Sequence, residues 1–458
     1  MSTLSIAVSP GEAWGALEEE GAIVELRVAR AGGGARPGAL YLGRIVALRP
    51  ELPAALVEIG EDRAAFLSAE DAQPRRGLAG LAEGGAVLVQ VKKEARADKA
   101  TGVTLRPLLE GALVDLRPRR AGVSLRARHI DEAERQRLAA ALARIARADE
   151  GFDIGDRAAG ASEDALAADA AALRARWQAI EAARARATPP ARLEPEAGPA
   201  TEIMAAFFAA PPARIAIDDR AAFAEARAWL LRHRPALVTV LEYRAALGED
   251  MAAQIEAALA PRVTLPGGGA LAIETTAAAA MIDVDSGGAP ALGVNLAAAR
   301  EAARQIRLRN LAGPIVIDFI AMRKPHERDQ VRAALAAALA RDPAAPQLLG
   351  WTRLGHIELM RPRRHAALEE VLFERGADGG RIKTALTVAL EALKAAARAA
   401  DAAPGAALRL SLAPEVASCL QDGAAAAARR ALEARWGRAL RLRPEPGRPR
   451  ALFDIAPA

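Results

Sequence analysis

Between residues 40 and 110, apolar and polar positions alternate in short runs: LYLGRIVALRP, AALVEIG, RAAFLSA, AVLVQVKK and GVTLRPLL. A period of two, with turn residues between the runs, predicts strands, and their succession predicts a small β-barrel. Residues 1–37 hold two strand-like pieces, LSIAV and AIVELRVAR. From 130 to 188 the pattern becomes mostly helical. ATPPARLEPEAGPA (187–200) reads as a proline-rich connection. Residues 202–266 mix helix and strand. PGGG (266–269) then turns the chain into ALAIETT and AAAMIDVD, which read as a hairpin. A helix over 295–310, a strand over 313–320, a helix over 327–341 and a strand near 347–358 follow. That alternation predicts an α/β layer. A last unit, 382–458, reads helix, strand (ALRLSLA), helix, strand (ALRLRP) and strand (RALFDI).

The chain has 458 residues, more than one core usually holds, so several domains are expected. Alanine-rich runs such as 157–188 and 333–345 argue for helix and nothing more. Net charge is only +5, but its distribution is uneven. Basic residues crowd into RPRR (117–120), RARH (126–129), RQIRLRN (304–310), MRKPHER (322–328) and RPRR (361–364). Without a long basic amphipathic helix, such clusters suit a polyanion better than a membrane. The single cysteine, Cys419, excludes an intrachain disulfide, argues against a thiolate metal site and reads as a small buried apolar residue. No apolar run reaches the roughly 18 residues of a membrane span, and no signal peptide pattern opens the chain. A cytoplasmic protein is expected.

The candidate chemistry lies in MIDVDSGG (281–288) and GPIVIDFIAM (313–322). Asp283 and Asp318 each sit among apolar neighbours, where a carboxylate is expensive unless something offsets its charge. One such aspartate commonly caps a helix or pairs with an arginine. Two, at the ends of successive strands joined by a helix, point to a shared crevice. There they would repel, and a hard divalent cation removes the conflict. Basic clusters flank both acids and suit phosphates, so the pattern predicts phosphodiester hydrolysis. Asp285 faces the same side as Asp283. It is a third ligand, an orienting group for the attacking water, or a turn residue before Ser286-Gly287-Gly288, and the sequence leaves these open. His326 and His356 lie near the site in sequence, with packing or solvent as their expected role.

These motifs, with VNLAAAREAARQIRLRNLAGPIVIDFIAM between them, resemble the catalytic core of the ribonuclease E/G family. YLGRIVALRPELPAALVEIGEDRAAFLSAED (41–71), IEAALAPRVTLPGGGALAIETTAAAAMIDVDSG (255–287) and RLGHIELMRPRR (353–364) extend the resemblance along nearly the whole chain. It implies an α/β multidomain protein. An S1-type OB β-barrel (38–106) would be inserted in an RNase H-like subdomain (1–37 and 203–266), with a 5′-sensor-like region at 107–202. A DNase I-like α/β catalytic domain (267–372), a linker (373–381) and a small C-terminal α/β domain (382–458) would follow. Asp283 and Asp318 take the family's two metal positions, for Mg2+ or Mn2+. Asp285 stands where the family usually has Asn, and Ala321 where the pattern DFIDM has an acid. Phe66, alone a barrel core residue, takes the position of a ring offered to a base, while Leu56 replaces the other ring. Lys99 falls near the family's S1 lysine.

Arg157, in GDRAAGAS, takes the place of a 5′-phosphate-binding arginine, but Ala158 replaces its threonine partner. A second arginine expected near 345 is absent from DPAAPQ, so 5′-monophosphate preference is expected to be weak. FERGADGGRIK (373–383) lacks the Cys-x-x-Cys of the family's intersubunit zinc, so any homodimer forms without a zinc link. Arg307, Arg309 and Lys324 are expected to contact phosphates. The expected activity is metal-dependent endonucleolytic hydrolysis of single-stranded RNA, leaving 5′-phosphate and 3′-hydroxyl ends. A catalytically impaired RNA-binding scaffold of the same family is the alternative; a DNA nuclease is disfavoured by the S1-like barrel.

Overall fold

The computed structural model describes residues 2–458 apart from 50, 74–76, 96–98, 128–129, 209, 277, 364, 377–378 and 404, and apart from the side chains of 249, 250 and 252. Part of the RARH cluster, Arg364 of the second RPRR cluster, the residues before Lys99 and two residues of FERGADGGRIK therefore lie outside the described residues. The chain divides into two compact units. One comprises 33–197 and 228–238; the other comprises 1–32, 198–227 and 239–458.

The first unit contains a closed five-stranded barrel, as the alternating runs predict. Its strands are Leu40–Arg49, Ala54–Glu58, Ala65–Ser68, Ala86–Lys93 and Gly102–Thr104. The ladder runs from the first strand through the second, third and fifth to the fourth, which pairs back onto the first. Ile45, Val57, Leu67, Val89, Val91 and Val103 fill the interior. Gly43 lets two strands approach closely: a Cβ there would lie 2.5 Å from Val57 Cγ1 and 3.0 Å from the Glu58 carbonyl. Beside the barrel sequence, strands Leu109–Glu110, Val114–Pro118, Gly122–Leu125 and Glu150–Ile154 form a second sheet. Helices Glu132–Ile145 and Glu163–Arg186 bury Leu138, Leu142, Leu166 and Leu173 against it. Asp131 and Ser162 cap those helices by accepting the Glu134 and Ala165 amides. The strand 150–154 interrupts a stretch the sequence reads as mostly helical. Its EGFDI is buried at every position, so no period of two shows.

The second unit opens on strands Ser2–Ser9, Glu12–Glu19 and Ala22–Arg30, with Arg214–Ile217 and Leu241–Tyr243 completing the sheet. The sequence pattern shows the first and third strands but hides the second, EAWGALEE, where a glycine and paired acids break the alternation. The sheet that matters for chemistry has six strands. In spatial order they are Arg262–Thr264, Ala270–Thr275, Ala280–Asp285, Gly313–Asp318, Ile357–Arg361 and Gln347–Trp351. Ala280–Asp285 and Gly313–Asp318 run parallel, joined by helix Ala291–Leu308; the other neighbours are antiparallel. The strand expected near 347–358 is thus a hairpin. Helices Ala291–Leu308 and Pro325–Leu339 cover one face of the sheet through Ala298, Ala302, Ile306, Val331 and Leu335. A C-terminal layer follows: helix Ala385–Ala402 and two shorter helices pack on strands Leu408–Leu412, Arg441–Pro444 and Phe453–Pro457.

Candidate active site

Strand Ala280–Asp285 buries Ala280, Ile282 and Val284 and exposes Met281, Asp283 and Asp285. Strand Gly313–Asp318 buries Ile315 and Ile317 and exposes Asp318. Both are half-buried strands, so the aspartates carry no burial penalty; this corrects the expectation from their apolar neighbours. Proximity is the stronger argument. The two strands are parallel and in register, with Asp283 directly opposite Asp318. Adjacent strands lie about 4.8 Å apart, which sets the carboxylates side by side on the open face.

The next strand extends this row. Ile317 pairs with Ile357, so Asp318 is followed across the sheet by His356. His356 Nε2 lies 3.6 Å from Asp318 Oδ1. A turn holds the histidine from both sides: the Thr352 amide donates to the His356 carbonyl at 2.8 Å, and the His356 amide donates to Thr352 Oγ1 at 3.2 Å. Sequence spacing gives no sign of this placement, since 38 positions separate the numbers 318 and 356. The opposite edge carries a cation, because Asp283 pairs with Ala272 and Ala272 with Arg262.

Asp285 is committed elsewhere. Its Oδ1 accepts the Gly287 amide at 3.0 Å and its Oδ2 pairs with Arg262 Nη2 at 2.5 Å. The Gly287 hydrogen bond, followed by that guanidinium, holds the carboxyl below the usual carboxylate range. Of the three readings left open, this geometry matches the turn residue. Beyond Asp318, the loop is fixed by the fully buried Asn295 of the connecting helix. Its Nδ2 donates to the Ile320 carbonyl at 2.8 Å and its Oδ1 accepts the Ile320 amide at 3.1 Å. Ala321 is exposed.

The Asp283–Asp318 pair is the candidate holder of a hard cation. Such an ion takes one or two protein carboxylates and completes its shell with water and phosphate oxygens. Among the described residues no three His, Cys, Asp or Glu side chains are grouped to hold an ion, so the candidate donors are the Asp283–Asp318 pair alone.

Two expected RNA contacts are corrected. Arg307 and Arg309 are buried, each 8 % exposed. Arg307 pairs with Glu19 at 3.0 Å and Glu25 at 3.2 Å. Arg309 donates to Gln305 Oε1 and the Ala260 carbonyl, both at 2.7 Å, and burial pushes its guanidinium down to about 10. Helix geometry turns both arginines inward, Arg307 to acids that the N-terminal strands supply and Arg309 to an amide and a backbone carbonyl. Lys324 remains outside, at the start of helix Pro325–Leu339, 3.5 Å from Glu327. In the other unit, Phe66 is 40 % exposed and sits cross-strand from Leu56 on the barrel surface, rather than in its core. Lys99 is exposed. Arg157 is bound by Asp115 at 2.6 Å, and burial raises that carboxyl above its ordinary range despite the arginine.

The model of the Ribonuclease E/G family matches residues 109–364. Among curated proteins, the chain is 28 % identical to Ribonuclease G of Salmonella typhimurium, covering 99 % of both chains. It is 29 % identical to Ribonuclease G of Escherichia coli K12 over 85 % of this chain and 86 % of that one. Ribonuclease E of Nostoc is 34 % identical over 73 % of this chain and 52 % of the relative.

Proposed function

The chain belongs to the ribonuclease E/G family, and from that premise we propose a metal-dependent endoribonuclease that hydrolyses single-stranded RNA in the cytoplasm, in rRNA or mRNA processing or decay. The observation that carries the proposal is the register of Asp283 against Asp318 on an open sheet face. These carboxylates would hold Mg2+ or Mn2+. Such an ion supplies Lewis-acid polarisation of a phosphodiester. Asn295 keeps the loop after Asp318 in one conformation. Arg262 takes up the charge of Asp285, so the acid does not add to the repulsion between the pair. Lys324 offers an exposed ammonium to a phosphate.

The barrel at 38–106 is assigned as an S1-type RNA-binding domain. Phe66 provides a stacking surface worth about 1–3 kcal/mol per base, and Lys99 an accompanying charge. The remaining divisions follow the family: RNase H-like at 1–37 and 203–266, sensor-like at 107–202, DNase I-like at 267–372, and small C-terminal at 382–458. Arg157 already carries a carboxylate counterion, Asp115, which an incoming 5′-phosphate must displace. Oligonucleotides with 5′-phosphate and 5′-hydroxyl ends should therefore be cleaved at rates within roughly threefold, under 1 kcal/mol of discrimination; a preference of 30-fold or so would contradict this.

The second reading, a scaffold without turnover, draws on Asp285 and Ala321 standing where the family has Asn and an acid. A fluorescent single-stranded RNA incubated with and without Mg2+ separates the two. Cleavage that needs the ion and leaves 5′-phosphate ends supports the enzyme. Tight binding with no cleavage supports the scaffold.

A further inference from the structure

We propose that the outward face of the C-terminal sheet carries a phosphate-binding site for single-stranded RNA, built on Arg409 and Arg441. This rests on the reading of RNA as the substrate of the chain. Strands Leu408–Leu412 and Arg441–Pro444 run parallel, with Arg409 directly opposite Arg441 and Ser411 opposite Arg443. Leu408, Leu410, Leu412, Leu442, Phe453 and Ile455 pack into the core shared with the helices. The arginines alternate with these residues and so stand on the other face. Adjacent strands lie about 4.8 Å apart, which sets the stems of Arg409 and Arg441 side by side. Ala456, the partner of Arg409 on its other flank, adds neither charge nor bulk.

Like charges directly opposite one another weaken a sheet unless an anion joins them. Elsewhere on this face the chain supplies the anions. Arg443 lies 3.5 Å from Glu445, and Arg448 lies 2.7 Å from both Glu445 and Asp454. Around Arg409 and Arg441 it supplies none. Among the described residues neither guanidinium has an ion pair or a hydrogen-bond acceptor, and Arg409 Nε is buried without a partner. Arg441 is exposed. A third cation stands at the same end of the sheet: a Cβ on Gly405, in the turn that leads into strand Leu408–Leu412, would lie 3.9 Å from Arg438 Nη2. What this end lacks is an anion with several acceptor oxygens. Phosphate meets that need, because its oxygens accept paired guanidinium hydrogen bonds. With RNA as the substrate, the phosphate is one of its backbone, and an outward sheet face lets a strand lie along it.

The test measures affinity of the full chain for a fluorescent single-stranded RNA over a series of salt concentrations, without divalent ions so that the RNA stays intact. Each phosphate contact to a single strand contributes a slope of about −0.7 to log K against log salt. The double variant Arg409→Gln/Arg441→Gln should bind more weakly and lose about 0.7–1.4 of that slope. Arg443→Gln, whose charge Glu445 already balances, should lose clearly less. Thiouridine-labelled RNA should photo-crosslink to wild-type peptides containing Arg409 or Arg441, a readout that stands even if the double variant folds poorly. An unchanged slope in the folded double variant, an equal loss in Arg443→Gln, or the absence of those crosslinks overturns the site and leaves the ribonuclease reading standing. A wild type that neither binds nor cleaves RNA, with Mg2+ or without, overturns that reading and this inference with it.

Discussion

At the scale of single residues, charge and burial separate groups that the sequence presents alike. Asp283 and Asp318 are legible because each interrupts an apolar run, and a parallel α/β connection predicts that they meet. Arg307 and Arg309 look equally suggestive, beside the second acid strand, yet they face inward. Arg307 meets Glu19 and Glu25, nearly three hundred positions away in the chain, which no local pattern displays, and Arg309 meets Gln305 and the Ala260 carbonyl. Removing one partner of a buried ion pair leaves an uncompensated charge and costs about 3–5 kcal/mol. Arg307→Ala should accordingly lower the melting temperature by several degrees while RNA affinity stays unchanged. A loss of RNA affinity without a loss of stability would return Arg307 to the binding surface. His356 is the opposite case: spacing hides its place beside Asp318, because the two meet across a ladder.

At the scale of elements, period and propensity identify most strands and helices, and the exceptions have physical causes. Glu12–Glu19 buries a run containing glycine and glutamate, and Glu150–Ile154 is covered on both faces, so neither shows clean alternation. The site itself depends on one helix-to-loop clamp. Asn295 is fully buried and satisfies both the amide and the carbonyl of Ile320, two residues past Asp318. Replacing it with alanine leaves polar groups unpaired, at about 1–3 kcal/mol. Asn295→Ala should therefore lose that much stability by denaturant unfolding. It should also cleave RNA more slowly at temperatures where it remains folded, because the loop after Asp318 is released. Full activity in a folded variant would show that the loop needs no clamp.

At the scale of the molecule, the division into two units was not visible in the sequence, which suggests a longer series of domains. The N-terminal sheet, the acid-bearing sheet and the C-terminal layer belong to one compact unit. In the unit containing the barrel, burial, with Arg176 and Arg232 close by, pushes the His233 imidazole from its ordinary 6.5 down to about 4. The folded state thus favours the neutral ring. Its stabilising contribution is present above pH 6.5 and is lost as pH falls from there through about 4, at most about 1.4 kcal/mol per pH unit. Thermal melts of wild type and His233→Gln between pH 7 and 4 should converge on acidification; parallel curves would exclude the effect. Among the described residues no helix is long and apolar enough to cross a membrane.

The central claim is that Asp283 and Asp318 act as one ion-holding pair on an open face. It is tested most directly by single-turnover cleavage of a labelled single-stranded RNA in Mg2+ by wild type, Asp283→Asn and Asp318→Asn, with affinity for the same RNA measured in parallel. Both variants should cleave about 100-fold more slowly or worse, the several kcal/mol a metal supplies, with RNA affinity nearly intact. Cleavage by either variant at the wild-type rate would contradict the account.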